Sequence, residues 1–278
     1  MKIAKETVTS RKNPLVLLAA SLTEKKYRDE HRLFAASGRK LCAEAVSAGV
    51  EVTHILVSEA YDAVHREELL SMFSDSRYEE TVLAVLTESC FEKITTEKAA
   101  EGIILLIKYL DISKKYNKII DVAFLAESDH VLFLESIRDP GNLGTVLRSA
   151  GAFGVTCVFL SGDCVDLYNP RTVRAAMGAL FRVATVRVES TAEAIASLRT
   201  AGRRVLAAEL RPGAIPIDEV GLCWRDVIMI GNEGHGIPEA VSALCDASIY
   251  IPIAPQAESL NAAAAATVLL WEQQNSKK

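Results

Sequence analysis

Residues 130–162 read HVLFLESIRDPGNLGTVLRSAGAFGVTCVFLSG. HVLFLES is a short apolar run that reads as a buried strand, GNLGTVLRSAGAFG as a helix ended by glycine, and VTCVFLSG as a second strand. The alternation continues downstream. PRTVRAAMGALF has proline ahead of a helix, RVATVRV is a strand, and TAEAIASLRTAG is a helix with Thr191 as its cap and Glu193 two positions later. RRVLAAEL and DVIMIG are strands, IPEAVSALC lies between the latter and the strand ASIYIPI, and SLNAAAAATVLLWEQQ is a long alanine-rich helix. Strands alternating with such helices predict an α/β domain, its mostly parallel sheet covered by helices on both faces. Ligands in these sheets bind beyond the carboxyl ends of the strands, and ESIRDPGN, AAELRPG, GNEGHG and IPIAPQAESLN all lie at such ends.

The front of the chain is less regular. NPLVLLAASLTEKKY, from Asn13 to about Tyr27, reads as one helix followed by a charged segment, and GRKLCAEAVSAG as a second helix. VTHILVS (strand), AVHREELLSMF (helix), ETVLAVLTE (helix), FEKIT (short strand) and GIILLIKYL (strand) then predict a small α/β layered domain ending near Tyr109. DISKKYNKIIDVAFLAESDH has no clean period and reads as a joint. The expected division is a front domain over 1–110, a linker over 111–125 and a second domain over 126–278.

At 278 residues and 50% hydrophobic content the chain fills one large core or two ordinary ones, which excludes large-scale disorder. Its net charge of -5 hides a gradient. Residues 1–50 hold ten Lys or Arg against five Asp or Glu, residues 51–125 eight against fourteen, and residues 126–278 thirteen against seventeen. Steering toward a polyanion therefore falls to the front. Cys42, Cys90, Cys157, Cys164, Cys223 and Cys245 form no CxxC pair and read as reduced thiols, not as a disulfide framework or a zinc site. MKIAKETVTS lacks the apolar core of an export signal, and no apolar run approaches the ~18 residues of a membrane span. The expectation is a cytoplasmic protein with neither membrane nor metal.

GNEGHG, residues 231–236, has no lysine and so is not a GxxxxGK[ST] phosphate loop; as GxxGxG after a late strand it is not a dinucleotide fingerprint either. Two readings stay open: a tight turn whose glycines permit positive φ, or a ligand loop acting with the other polar strand ends.

Three of those stretches carry a resemblance. Asn142 through Arg148, with Asp139, Pro140, Gly144 and Ala150 in step, form the first. Gly231-Asn232-Glu233-Gly234 with Gly236-Ile237 form the second, and Ile251-Pro252-Ile253 with Glu258-Ser259-Leu260-Asn261-Ala262 the third. In order and spacing they resemble the signature motifs of the SpoU/TrmH branch of trefoil-knotted (SPOUT) RNA 2'-O-ribose methyltransferases, over roughly residues 131–275. SRKNPLVLLAASL and FAASGRKLCAEAV are similar to segments of that family's substrate domain, an L30e-like module related to a ribosomal protein that binds RNA turns. Ser37 stands where many relatives have Glu.

The resemblance implies a deep trefoil knot in the second domain and S-adenosylmethionine (S-adenosyl-L-methionine) bent within it. Backbone groups around Glu209, Leu210, Gly231, Ile251 and Leu260 would hold the cofactor, with glycine at 231 leaving room for the adenosine. Arg148 matches the family's key arginine, proposed there as a base. A guanidinium is charged at neutral pH and has no acceptor, so clamping a phosphate and stabilising the developing alkoxide suit it better. Asn142, Glu233, Ser259 and Asn261 would complete the polar shell, Glu233 by orienting Arg148 or the ribose. Ser259 is also a candidate cap for the last helix, and Asn142 for the helix beginning at Leu143. Arg138, Arg171 and Arg174 are candidates for RNA phosphates. His235 is given no role, because relatives vary there. The implied partners are structured RNA and a second copy of the chain in a homodimer, one subunit's arginine lying near the other's cofactor. Ribosomal RNA is favoured, because a front module of this type grips RNA by shape. The alternatives are a transfer RNA target, a non-catalytic RNA-binding or assembly protein that kept the fold, and an unrelated Rossmann-like methyltransferase, for which DPGN is a poor glycine-rich loop.

Overall fold

A computed structural model describes residues 1–97, 99–110, 129–257 and 259–276. The expected linker 111–125 and Glu258 of the third motif lie outside the described residues. The chain forms two compact units: Met1–Leu110 with Tyr168–Phe181, and Asp111–Leu167 with Arg182–Lys278.

The front half runs β1 (Lys2–Ile3), α1 (Pro14–Ser21), α2 (Lys25–His31), β2 (Leu33–Ser37), α3 (Arg39–Ser47), β3 (Val52–Ser58), α4 (Glu59–Met72), β4 (Val82–Leu86), α5 (Glu88–Ile94) and β5 (Ile103–Lys108). Its mixed sheet has the order β1-β4-β3-β5-β2. Three expectations are corrected here. The helix expected over Asn13–Tyr27 breaks after Ser21, where the buried Arg28 guanidinium reaches back to the carbonyls of Leu22 (2.8 Å) and Thr23 (2.9 Å). ETVLAVLTE is not a helix: VLAVL forms β4, parallel to β3 and β1. A five-residue apolar run has no readable period, and pairing with neighbouring strands decides its state. FEKIT is not a strand but the end of α5, which turns Cys90, Phe91 and Ile94 into the core. The strand β2, antiparallel to β5, was hidden in a segment read only as charged and then helical.

The second half runs β6 (Val131–Leu134), α6 (Pro140–Ala152), β7 (Cys157–Leu160), α7 (Pro170–Ala176), α8 (Ala179–Arg182), β8 (Ala184–Arg187), α9 (Thr191–Thr200), β9 (Val205–Ala208), β10 (Ile215–Pro216), β11 (Val227–Ile230), α10 (Glu239–Ser242), β12 (Ala247–Tyr250) and α11 (Ala262–Asn275). Seven strands form one parallel sheet in the order β10-β12-β9-β11-β6-β7-β8. All residues of β6 (VLFL), β7 (CVFL) and β11 (VIMI) are buried, as in a sheet with helices on both faces. From β6 the chain moves to β7 on one side and returns later to β11 on the other. The loops leaving β6 and β11 therefore part at a switch point, where such sheets open a crevice.

PRTVRAAMGALF is not one helix: it splits at Met177 (φ 51, ψ −149) into α7 and α8. The segment also packs with the front unit. Tyr168 stacks on Phe34 (4.7 Å between centroids) and Tyr109 (4.0 Å), and Gly178 N donates to Glu44 Oε2 at 2.6 Å. The caps differ from expectation as well. Asp139 caps α6 by accepting from Asn142 N (2.8 Å), since Pro140 at the first turn moves the start forward of Asn142. Ser190, not Thr191, caps α9, and Asn261, not Ser259, caps α11 by accepting from Ala263 N and Ala264 N.

α11 packs along α6, where Ser149 Oγ and Thr267 Oγ1 lie 2.7 Å apart. Its other end is fixed by Gln273, which is fully buried. Gln273 Nε2 donates to the carbonyls of Cys223 and Asp226, both at 2.9 Å, and His130 Nε2 lies 2.8 Å from Gln273 Oε1. Gln273→Leu removes those partners from inside the protein, and each buried polar group so stranded costs about 1–3 kcal/mol. We expect a loss of roughly 3 kcal/mol or more, measured as a lower denaturant midpoint at unchanged slope. Among the described residues no helix is long and apolar enough to cross a membrane.

Candidate active site

The loop 231–236 is a closed turn. Asn232 N donates to Gly236 O (3.0 Å) and Gly236 N to Asn232 O (2.9 Å), while Asn232 Oδ1 accepts from Gly234 N (2.8 Å) and His235 N (3.1 Å). Gly236 takes φ +67. A Cβ on Gly231 would stand 2.4 Å from the carbonyl carbon of Gly236 and 2.6 Å from Ile237 N. Glycine at 231 is therefore required by the loop's own returning backbone, a reason separate from the expected clearance for adenosine.

The turn presents Asn232 and Glu233 to the loop after β6. Asn232 Nδ2 donates to Ser136 O at 2.8 Å. The Glu233 carboxylate accepts from Asn142 Nδ2 (2.9 Å) and from the N–H groups of Arg138 and Asp139 (both 3.3 Å). Partial burial works to raise its pKa, but Asn142 and these backbone donors outweigh that and hold it below the usual carboxylate range. Asn142 Oδ1 in turn accepts from Asn261 Nδ2 at 2.9 Å. The chain Asn261–Asn142–Glu233 thus ties together one residue from each of the three polar stretches. Glu233 does not engage Arg148, contrary to one of the roles expected for it. Its oxygens face α6's first turn, whereas Arg148 is exposed farther along that helix and has no side-chain hydrogen bond or ion pair among the described residues.

Two clefts open beside this chain. One, of about 840 Å³, is polar and walled by Arg138, Asp139, Asn142, Glu233 and His235. The other, of about 440 Å³, is mostly apolar and lies at the ends of β9 and β12, walled by Glu209, Leu210, Ile251, Ser259 and Leu260. Leu210 is 74% exposed and Leu260 39%, apolar surface of the kind that walls a ligand cleft. Glu209 Oε1 accepts from Ser248 Oγ (2.7 Å), Ser242 Oγ and Arg211 Nη1 (3.3 Å). Leu260 of the apolar wall immediately precedes Asn261, whose amide reaches Asn142 of the polar one. Gly231 and Arg148 belong to neither wall.

The sequence profile described as SpoU rRNA Methylase family matches residues 129–271, just over half of the chain. The chain belongs to the SpoU family. In front of that match, residues 13–105 fit the profile of an MRM3-like substrate binding domain. The 23S rRNA (guanosine(2553)-2'-O)-methyltransferase RlmP of Bacillus subtilis is 29% identical over 264 residues, 95% of this chain and 97% of that protein. The 23S rRNA (uridine(2479)-2'-O)-methyltransferase of Streptomyces viridochromogenes is 38% identical over 137 residues, 48% of each chain. Among solved structures, an AdoMet-bound rRNA methyltransferase from Sinorhizobium meliloti superimposes with a TM-score of 0.83 at 29% identity, covering 98% of both chains.

For this SpoU family member, the remaining expected RNA contacts fall into two places. Arg138 is in the polar cleft and pairs with Asp163 at 2.5 Å. Arg171 and Arg174 are exposed on α7, in the front unit, where Arg174 lies 3.9 Å from Glu97. Asp163, which pairs with Arg138, and Ser136 and Ser161, which donate to Asp163, were missed. The only signal was the polar SGD after the strand VTCVFL, and nothing in its spacing points to Ser136. No group of three or more His, Cys, Asp or Glu is placed to hold a metal ion among the described residues.

Proposed function

We propose that the protein is an S-adenosylmethionine-dependent methyltransferase that methylates a ribose 2'-hydroxyl of ribosomal RNA. The Asn261–Asn142–Glu233 chain carries this reading, because it fastens the polar cleft to the apolar one, which supports a substrate site beside a donor site. The Sinorhizobium meliloti relative binds AdoMet, and the Bacillus subtilis and Streptomyces viridochromogenes relatives act on a 2'-oxygen of 23S rRNA. Those properties support the same cofactor and substrate class here.

When bound, S-adenosylmethionine supplies a methyl group on a sulfonium. Leu210, Ile251 and Leu260 would hold its adenine, with the backbone at 209–210 as polar partner, and a cleft of about 440 Å³ is of a size to take it. Asn142 and Asn261 present amides at the meeting of the two clefts and fix the ribose in line for attack; such positioning removes much of the barrier. Glu233 holds Asn142 in register, and Ser259 lies in the donor wall. Arg138, and Arg171 and Arg174 on the front unit, take RNA phosphates. Arg148 clamps a phosphate and stabilises the alkoxide that develops as the 2'-hydroxyl gives its proton to water.

The reading includes the family's knot and a homodimer. α11 exposes Val268 (36%) and Trp271 (55%), an apolar pair suited to a second copy, and the exposed Arg148 then serves the partner's cleft. The free thiols, four of them buried, suit the reducing cytoplasm. The test incubates the protein with tritiated S-adenosylmethionine and protein-free rRNA from cells lacking its gene. Label is expected on one ribose 2'-oxygen. Label on a base, or none, sinks the reading.

A further inference from the structure

One carboxylate beside the polar cleft has no part in the reaction as proposed. Asp163 Oδ2 accepts from Ser136 Oγ (2.6 Å) and Arg138 Nη2 (2.5 Å), and its Oδ1 from Ser161 Oγ (2.8 Å). Ser161 Oγ also accepts from Ser136 N at 2.8 Å, so the loops after β6 and β7 are laced together. Ser136 needs the lacing. It sits at φ 56, the left-handed region that a residue with a Cβ adopts only when its surroundings hold it there. Its carbonyl is the acceptor for Asn232 Nδ2, so the strained residue also fixes where the 231–236 turn docks.

The support beneath Asp163 is rigid. Arg187, ending β8, donates to the carbonyls of Ser161 (3.1 Å), Gly162 (2.8 Å), Cys164 (2.9 Å) and Val165 (2.9 Å) and pins the loop that carries Asp163. The donors on Asp163, led by Ser136, outweigh its partial burial and lower its pKa to about 2, so it is an anion throughout the physiological range. Arg138 is 64% exposed and gives Asp163 only its Nη2 edge, leaving the other guanidinium donors for a ligand.

We infer that Asp163 is a positioning residue for RNA: it holds Ser136 in its left-handed turn and braces Arg138 by one edge, so that the remaining donors meet a backbone phosphate in the polar cleft. The inference rests on the reading that this cleft receives RNA.

Asp163→Ala, Asp163→Asn and the double variant Asp163→Ala/Ser136→Gly test it, with methylation of protein-free rRNA followed against RNA concentration and S-adenosylmethionine affinity measured calorimetrically. Asp163→Ala is expected to raise KM for RNA about ten-fold, with kcat and cofactor affinity changed less than about two-fold. Asp163→Asn keeps an acceptor for Ser136 and loses the charge beside Arg138, so it falls between. Ser136→Gly in the alanine background restores part of the loss, since glycine takes positive φ unaided. An unchanged KM overturns the inference. So does tighter RNA binding, which would make Asp163 a competitor for Arg138, and so does a parallel fall in cofactor affinity and unfolding midpoint, which would make it structural only. If the wild type transfers no methyl group, the parent reading fails by itself; retention of the same rRNA on filters then decides whether Asp163→Ala weakens binding.

Discussion

Gly231→Ala is expected to lower the unfolding free energy by roughly 3 kcal/mol or more and to leave little methylation. The added methyl group meets backbone on three atoms, the carbonyl carbon and oxygen of Gly236 (2.4 and 2.6 Å) and Ile237 N (2.6 Å), and backbone in a two-way hydrogen-bonded turn has no rotamer to swing away. Nor can the returning strand retreat as a body, because Ile237 is buried in the core under the sheet. Relief must come from opening the turn, which displaces Asn232 and Glu233 and with them the contacts to Ser136 and Asn142. Gly234→Ala is the control. Its nearest neighbour, Asn232 Oδ1, would be 3.6 Å away, an ordinary contact, so that variant keeps most of its stability. Thermal unfolding of the two side by side checks the claim, and equal melting points would mean that the turn is not packed as described.

Arg148→Ala is expected to reduce kcat by about 10²–10³-fold while leaving stability and cofactor affinity near wild type. The two halves of that expectation have separate causes. The guanidinium is exposed and bonded to nothing described, so its removal strands no partner, and surface changes of this kind fall within about 0.5 kcal/mol. The loss in rate follows from its role in the proposed reaction, where positive charge meets a developing alkoxide. Arg148→Lys keeps the charge but not the planar fork and should recover only part of the rate. Single-turnover labelling with saturating cofactor separates these outcomes, and undiminished turnover in the alanine variant removes Arg148 from the chemistry.

The parallel sheet was legible because β6, β7, β9 and β11 are four-residue apolar runs ended by polar or glycine-containing loops and alternating with helix-length segments, an order that suits a sheet covered on both faces. The front unit was less so. VLAVL in β4 has the same apolar character, but no period separates strand from helix at that length, and β2 lies in residues whose burial comes from β5, some seventy positions downstream. The helices α6, α9 and α11 were legible, yet their caps lie one to three residues from the expected positions, because a cap is defined by which side chain turns back and not by which residue type is near. Asn142, Glu233 and Asn261 were named from motif resemblance; that they bond to one another is a fact of tertiary structure. Asp163 could not be named at all. Its meaning depends on a strained serine 27 positions earlier, and neither residue is unusual where it stands.

The bond from Asn261 to Asn142 spans 119 positions of chain. During translation at roughly 5–20 residues per second, one half of that pair waits roughly 6–24 s for the other to be made, and longer while the helix that Asn261 caps clears the exit tunnel. A polypeptide still tethered to its ribosome therefore carries the walls of the polar cleft and the glycine turn before Leu260 and Asn261 complete the apolar side. The link between the two clefts is therefore among the last parts of the centre to form.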